Sequence, residues 1–476
     1  MSDPNAPVAA APKGINARMV QGWMRWGTQF LPFADVATAD QPLSKLLRLS
    51  LLQVSVGIAL VLLVGTLNRV MIVELKVPAS LVGIMLALPL LFAPFRALIG
   101  HKSDTHESAL GWRRVPYIYR GTMLQFGGLA IMPFALLVLA GAQESYDEPA
   151  WLGQGAAALA FLLLGAGIHV TQTVGLALAT DLTTEEQQPN MVGLMYVMLL
   201  IGSIAAAFGF GWALDNFSQG RLIQVIQGCA VITVVLNFIA LWKQEVRKPP
   251  HLREGPPPVQ PTFQESWAVF IAQANAKRRL LAVALGTLGF AMSDILLEPY
   301  GGEVLGLDVG NTTMLTALLA GGSLAGFAYA SYILSLGADP FRMARLGALI
   351  GLPAFGLIIL AAASDAPSIF TLGVLLAGLG SGLFGHGTLT ATMLLAPRDK
   401  VGMAMGAWGA VQATAQGVGA ATGGIIRDLA QGRSIDLGVP IAANGYVMVY
   451  WLELALLVAT IIAMLPLAKQ TRTAAA

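Results

Sequence analysis

The chain has 476 residues, of which 56% are hydrophobic and 11% charged, and its formal net charge is +2. Soluble proteins carry about 25% charged residues, so the composition excludes an ordinary soluble domain, and the small net charge gives no reason to expect a nucleic-acid partner. Apolar stretches of membrane-spanning length recur along the chain and predict a polytopic, all-α membrane protein.

The N-terminal segment 1–45 is predicted to lie outside the membrane spans. Its first residues are rich in Ala and Pro, which is typical of a disordered tail. Aromatic residues then recur every three or four positions between residues 15 and 34, among basic residues. This pattern predicts an amphipathic helix on the membrane surface, anchored by Trp23, Trp26 and Phe30. A helix docked on the rest of the protein is the alternative.

Twelve apolar stretches follow, each long enough for one membrane span. They lie at 46–72, 79–100, 117–141, 151–180, 191–214, 221–242, 279–300, 311–336, 343–363, 367–396, 401–427 and 444–467. Roughly four-fifths of the 28 Lys and Arg residues lie beside the two termini and the even-numbered connections, and the positive-inside rule therefore predicts that both termini are cytoplasmic.

A charged, Pro-rich connection at 243–278 divides the spans into six and six. We predict an N-terminal six-helix half at 46–242, a cytoplasmic linker at 243–278, a C-terminal six-helix half at 279–467 and a cytoplasmic tail at 468–476. The halves also match each other, because a Val-Gly pair opens both span 5 and span 11 and a glutamate ends both span 1 and span 7. These matches predict two parallel repeats, an arrangement typical of transporters.

The connection between spans 2 and 3 carries a glycine- and arginine-rich motif. Its residues look like the G-x-x-x-D…G-x-R-R signature of the major facilitator superfamily with extra residues inserted: Gly100, Asp104, Gly111, Arg113 and Arg114. Asp104 can pair with arginines or cap a helix at the cytoplasmic face. A basic loop that only sets the topology is the alternative.

Ionisable residues lie inside two predicted spans, where each costs roughly 2.5–3.5 kcal/mol on insertion scales. The polar residues concerned are Asn68 and Arg69 in span 1, with Glu74 just after its end, and Asp294 and Glu298 in span 7, with Glu303 just after its end. Asp294 and Glu298 are four residues apart and are predicted to share one helix face. We expect Arg69 to pair with one of them across the interface of the halves. Such a pair could hold the two halves together as a structural ion pair, or it could take part in proton coupling, and the sequence leaves both interpretations open.

The segment Pro299-Tyr300-Gly301-Gly302 follows these acids and is predicted to interrupt span 7. Broken helices within a membrane are tolerated where protein or a cavity covers them, so the segment indicates the rim of a cavity or a docking surface. The plain end of the span is the alternative.

Two histidines lie in corresponding spans, His169 in span 4 and His386 in span 10, each after a Gly-rich segment. A neutral imidazole in such a groove can ligate the magnesium of a chlorin or donate a hydrogen bond to a carbonyl; a hydrogen-bonded packing histidine is the alternative. Glycines spaced through span 11 predict close helix packing.

The sequence contains no Walker motif, no H-E-x-x-H motif and no Cys/His cluster. We therefore do not expect the protein to be an enzyme or to bind a metal ion directly through its own side chains.

The segments "TLNRVMIVELKVPASLVG" and "DILLEPYGGEVLG" resemble signature segments of the PucC/LhaA family of the major facilitator superfamily, and "GHKSDTHESALGWRRVPYIYRGTML" is similar to that family's loop between spans 2 and 3. Within the family the chain looks closer to LhaA, the light-harvesting 1 assembly factor of Rhodobacter-type purple bacteria, than to PucC, the light-harvesting 2 factor. The signature singles out Asn68, Arg69, Glu74, Asp294, Glu298, Pro299, Tyr300, Gly301, Gly302 and Glu303, without giving each a role.

The resemblance implies a major-facilitator fold of twelve helices in the intracytoplasmic (inner) membrane of a purple bacterium. It implies a non-enzymatic assembly factor for the light-harvesting 1/reaction-centre complex, which delivers or inserts bacteriochlorophyll as a carried pigment. The implied partners are the antenna α and β polypeptides, the reaction-centre complex, and bacteriochlorophyll synthase or the translocation machinery. A proton-coupled small-molecule transporter that uses Asp294 or Glu298 is the second interpretation.

Overall fold

The computed structural model describes residues 42–91, 99, 103, 112–139, 150–184, 188–245, 271–272, 275–395, 401–431 and 438–467. These residues form helices and connections without a strand. The predicted surface helix with Trp23, Trp26 and Phe30, most of the linker at 243–278 and the tail at 468–476 lie outside this part. So do Gly100, Asp104 and Gly111 of the loop motif.

Twelve long helical elements account for almost all of the described chain, one for each predicted apolar stretch. They are α1 Leu43–Glu74, α2 Ala79–Leu91, α3 Val115–Leu139, α4 Ala150–Asp181, α5 Gln188–Ala213, α6 Gln219–Leu241, α7 Ala276–Glu303, α8 Val309–Ser335, α9 Pro340–Ser364, α10 Pro367–Leu395, α11 Val401–Gln431 and α12 Asn444–Met464. Ten of them have the length and hydropathy to cross a membrane. The predicted all-α, multi-pass membrane fold is confirmed.

Several of these helices begin where the sequence supplies a side-chain cap. Asp308 accepts a hydrogen bond from the Asn311 backbone N–H at 2.7 Å at the start of α8. Asp339 does the same for Phe341 at 2.8 Å at the start of α9, where Pro340 occupies the first turn and has no N–H to satisfy. These caps fix where the short connections end and the spans begin.

Two helices depart from α geometry where the charged residues lie. Helix α1 is π-helical at Val61–Leu67 and again at Val70–Glu74. Helix α7 passes through a 3-10 turn at Ser293–Ile295 and resumes as an α-helix at Leu297–Glu303. Such irregular turns often mark functional positions within a helix.

The interruption of α7 lies earlier in the chain than the sequence predicts. The Pro299-Tyr300-Gly301-Gly302 segment is helical, and the break precedes it at Ser293–Ile295. Pro299 is the third residue of the resumed helix. The backbone N–H at this position would have no carbonyl partner within the same helical segment, so a proline in this first turn does not break the helix.

The N- and C-terminal halves contact each other at the end of the bundle where α1 and α7 end, which we call the closed end. Helix α2 lies along α11 so closely that a Cβ at Gly424 would overlap the carbonyl oxygen of Ala79. Helices α5 and α8 meet at Gly310, where a Cβ would lie 2.8 Å from the carbonyl oxygen of Gly211. This end therefore holds no open passage between those helix pairs.

We expect Gly424→Ala to lower the free energy of unfolding by about 1–3 kcal/mol, because the added methyl group forces α11 away from the α2 backbone. Gly409→Ala in the same helix is the matched control. A Cβ at Gly409 meets nothing within 4 Å, so this change should be neutral or slightly stabilising through helix propensity. Thermal unfolding of both variants in detergent checks the difference, and equal midpoints would contradict the close packing.

Candidate functional site

A cavity of about 340 Å³ lies between the halves. It lies away from the closed end, toward the end of the bundle at which α1 and α7 begin. Residues of α5, α7, α8, α10 and α11 line it. Its walls are mainly apolar and aromatic, and a smaller set of polar side chains points into it. The aromatic members are Tyr196, Phe290, Phe327, Phe384 and Trp408, and the polar members include Asp294, Ser323, Ser381, His386, Gln412 and Gln416.

His386 occupies the α10 wall of this cavity. Its ring lies against Phe327, with 4.1 Å between the two ring centroids, and its buried Nδ1 has no hydrogen-bond partner in the described structure. His169, its counterpart in α4, does not line the cavity. The two histidines that the sequence pairs by symmetry therefore occupy different environments, and of the two only His386 lines the cavity.

Asp294 also lines the cavity, and it lies within the 3-10 turn of α7. Among the described residues no Lys or Arg forms an ion pair with it. Glu298 does not line the cavity; it is 2% exposed and lies against Gly65 of α1 and Thr316 of α8. The two acids predicted to share a helix face therefore have different surroundings, and a 3-10 turn lies at the first of them.

A third carboxylate supports the 3-10 turn from α12. Glu453 is fully buried, and its Oε1 accepts a hydrogen bond from the Ser293 backbone N–H at 2.7 Å, while its Oε2 has no hydrogen-bond partner among the described residues. This bond satisfies a donor that the break in α7 exposes. Our sequence reasoning missed Glu453, although a single acid in the apolar stretch at 444–467 was a usable signal.

Arg69 pairs with a residue of its own helix. Its Nη1 lies 2.5 Å from Glu74 Oε1 and its Nη2 donates to the Leu307 carbonyl at 3.1 Å. The expected pair with Glu298 or Asp294 is wrong. Residues five apart do not face each other in an α-helix, but the π-helical turns of α1 bring Glu74 onto the face of Arg69.

Asn68 and Arg69 both join the halves. The Asn68 side-chain amide donates to the Ile295 carbonyl at 2.5 Å, at the break in α7, and Arg69 reaches the connection between α7 and α8 through Leu307. A Cβ at Gly302 would lie 3.0 Å from Arg69 Nη2, so the glycine gives the guanidinium its space. The first signature segment thus contacts the second directly.

Glu303 belongs to an ion-pair cluster at the closed end. Its carboxylate accepts hydrogen bonds from Arg427 and from the Tyr446 hydroxyl, the latter at 2.8 Å. Arg427 also pairs with Asp428 at 2.9 Å, and Asp428 accepts from the Ser80 backbone N–H of α2 at 2.7 Å. The cluster therefore connects α7, α11 and α12 and continues across to the N-terminal half.

The Pro-Tyr-Gly-Gly segment is part of the protein core. Tyr300 is fully buried, donates to the Ile358 carbonyl at 2.8 Å, and packs against Phe370, Tyr446 and Tyr450 with ring centroids 5.1–5.6 Å apart. None of its residues lines the central cavity. The expected cavity rim or docking surface is not found here, and the segment instead anchors the end of α7.

At the opposite end, the described part of the loop motif binds two acids of its own half. Arg113 and Arg114 pair with Asp181 at the end of α4, at 2.8 and 3.0 Å. Glu245 accepts hydrogen bonds from the backbone N–H groups of Arg113, Arg114 and Val115 and so caps α3. Asp181 and Glu245 were not predicted as partners, although Asp181 directly follows one apolar stretch and Glu245 is the third residue after another.

The family model described as PUCC protein matches residues 66–472. The chain belongs to the PucC family. Proteins named PucC match it at 61% identity from Rhodovulum sulfidophilum (84% of this chain, 89% of the relative), at 57% from Cereibacter sphaeroides (96% and 99%) and at 54% from Rhodobacter capsulatus (96% and 99%). The finer prediction that the chain is closer to LhaA than to PucC stays a prediction.

Solved structures of transporters share the fold of this PucC-family chain. The nucleoside transporter NupG gives a TM-score of 0.63 at 14% identity, with 88% of this chain and 100% of that chain covered. A bacterial homologue of the iron transporter ferroportin in its inward-facing state gives 0.62 at 15% identity, with 89% and 98% covered. At such identities the likeness concerns the fold alone.

Proposed function

We propose that the protein is an assembly factor of the photosynthetic antenna that delivers or inserts bacteriochlorophyll into antenna polypeptides. Membership of the PucC family and the two signature segments support this role. The observation that carries it is the central cavity, whose lining combines His386 with five aromatic side chains, one of which, Phe327, lies against the imidazole ring. The role needs no catalytic step.

The cavity has the chemistry that a chlorin ring requires. A flat macrocycle packs favourably on aromatic side chains such as Phe290, Phe327 and Trp408, and a neutral imidazole is a suitable ligand for the central magnesium. Gln412 and Ser381 can donate hydrogen bonds to peripheral carbonyl groups. We place only the ring in this cavity of about 340 Å³, with the hydrocarbon tail extending toward lipid.

The proposed location is the bacterial inner, intracytoplasmic membrane with both termini in the cytoplasm, as the distribution of Lys and Arg supports. The closed end then faces the periplasm, and the cavity lies in the cytoplasmic half of the bundle. This orientation suits a factor that receives pigment from a synthase and meets new antenna α and β polypeptides, and the reaction-centre complex, at the membrane.

A deletion strain tests the proposed function through the absorption spectrum of its membranes. We expect the antenna bands to fall while the reaction-centre bands remain, and the wild-type gene to restore them. Loss of the light-harvesting 1 band would agree with the resemblance to LhaA, and loss of the light-harvesting 2 band alone would agree with the relatives named PucC. Antenna bands at wild-type levels in the deletion strain would contradict the proposal.

A proton-coupled small-molecule transporter is the second candidate function, and the position of Asp294 favours it. This acid lines the central cavity, and no basic side chain of the described residues pairs with it. Asp294→Asn separates the two functions. A transporter of this kind should lose activity in this variant, whereas a pigment carrier should retain bound pigment and antenna assembly.

A further inference from the structure

A buried carboxylate lies among threonine hydroxyl groups where α1, α7 and α8 meet. Glu298 is 2% exposed, its Oε1 accepts a hydrogen bond from the Thr316 hydroxyl, and its Oε2 has no hydrogen-bond partner in the described structure. The Thr313 hydroxyl also faces this carboxylate, and it lies 3.5 Å from the Thr66 hydroxyl of α1. One acid and three hydroxyl oxygens thus converge from three helices.

The nearest basic side chain does not neutralise this acid by direct contact. The guanidinium of Arg69 is held by Glu74 and by the Leu307 carbonyl, and no ion pair joins it to Glu298. A buried carboxylate without a paired cation is costly. In its charged form Glu298 therefore lacks a paired cation, and its unpartnered Oε2 is available to bind one.

The backbone of α1 is irregular at the same place. The π-helical turn Val61–Leu67 contains both Gly65 and Thr66, and a π-turn takes carbonyl groups out of the usual α-helical pattern. A Cβ at Gly65 would overlap Glu298 Oε1 and would lie 3.0 Å from the Thr316 hydroxyl oxygen. The glycine therefore leaves the space in which these oxygens gather.

We propose that Glu298, Thr316, Thr313 and Thr66 form a binding site for a sodium ion. Hard cations prefer carboxylate, hydroxyl and carbonyl oxygens, and membrane transporters bind sodium where a helix is irregular near mid-membrane. The proposal does not depend on the pigment.

Sodium binding can be measured on the purified full-length protein in detergent. We expect radioactive sodium to bind saturably at about one ion per chain and sodium chloride to raise the midpoint of thermal unfolding by a few degrees, roughly as ligand linkage predicts. Choline chloride at equal ionic strength should not raise it. Glu298→Gln and Thr316→Val should each reduce the affinity for sodium at least about tenfold.

Thr233→Val is the matched control for Thr316→Val. Thr233 is fully buried in α6 and bonds only to backbone carbonyls of its own helix, so this variant should bind sodium like the wild type. Absence of saturable sodium binding in the wild type, or unchanged binding in Glu298→Gln, would overturn the proposal. A midpoint that responds to pH through Glu298 but not to sodium would show a proton site in its place and would also overturn it.

Discussion

Arg427→Ala is expected to lower the free energy of unfolding by about 3 kcal/mol, since removing one partner of a buried ion pair leaves the other charge uncompensated. Arg427 and Glu303 are 11% and 18% exposed at their side chains. The guanidinium also bonds to Asp428 and to the Tyr446 hydroxyl and lies 4.9 Å above the Tyr446 ring. One substitution therefore removes contacts that hold α7, α11 and α12 together. Thermal or denaturant unfolding in detergent measures the loss.

Arg342→Ala is the matched control, because Arg342 is 48% exposed and lies 3.9 Å from Asp339 in a surface pair. Such pairs contribute about 0–1 kcal/mol, so this variant should stay near the wild type. Combining Arg427→Met with Glu303→Gln removes both charges and should recover much of the stability that Arg427→Ala loses. Equal stability of Arg427→Ala and Arg342→Ala would show that the cluster does not hold the closed end.

The number and position of the helices could be predicted because they follow from apolar length alone. A span needs about 20 apolar residues, and each of the twelve stretches corresponds to one helix. The orientation in the membrane remains a prediction from the basic residues. The family could also be identified, because the long segments around Arg69 and Glu298 match a signature and the family model covers residues 66–472.

The contacts of the charged residues could not be predicted, because they depend on helix irregularities that local sequence does not specify. A regular α-helix turns Arg69 away from Glu74 and places Asp294 beside Glu298. The π-turns of α1 instead bring Glu74 to Arg69, and α7 has a 3-10 turn at Asp294, which lines the cavity while Glu298 does not. Side chains distant in the sequence stabilise the 3-10 turn: Glu453 accepts a hydrogen bond from the Ser293 N–H, and Asn68 donates one to the Ile295 carbonyl. The position of this turn therefore depends on tertiary contacts and not on the local sequence.

The central cavity was predictable only in part. A bundle of two repeats predicts a site between its halves, and the sequence singles out both Asp294 and His386, which line the cavity. Which of the two histidines lines the cavity could not be decided, because His169 and His386 follow similar Gly-rich segments. The decision rests on packing, since α10 brings His386 against Phe327 of α8.

His386→Ala is expected to reduce the pigment that copurifies with the protein at least about tenfold. Among the described residues that line the cavity, His386 is the only histidine, and the indole N–H of Trp408 cannot ligate a metal because it is a donor only. Loss of the imidazole would remove the magnesium ligand while leaving the aromatic walls in place. The measurement is the ratio of chlorin absorbance to protein after purification from pigment-producing cells.

His169→Ala is the control, since the same change in α4 lies away from the cavity lining and should leave the pigment ratio unchanged. Gel filtration and thermal unfolding of both variants separate loss of pigment from loss of fold. Unchanged pigment in both variants would exclude ligation by either histidine. The wild-type protein could also purify well folded and associated with antenna polypeptides but free of chlorin. That result would show a chaperone that binds its protein partners without carrying the pigment, because the cavity would then be empty in the working complex.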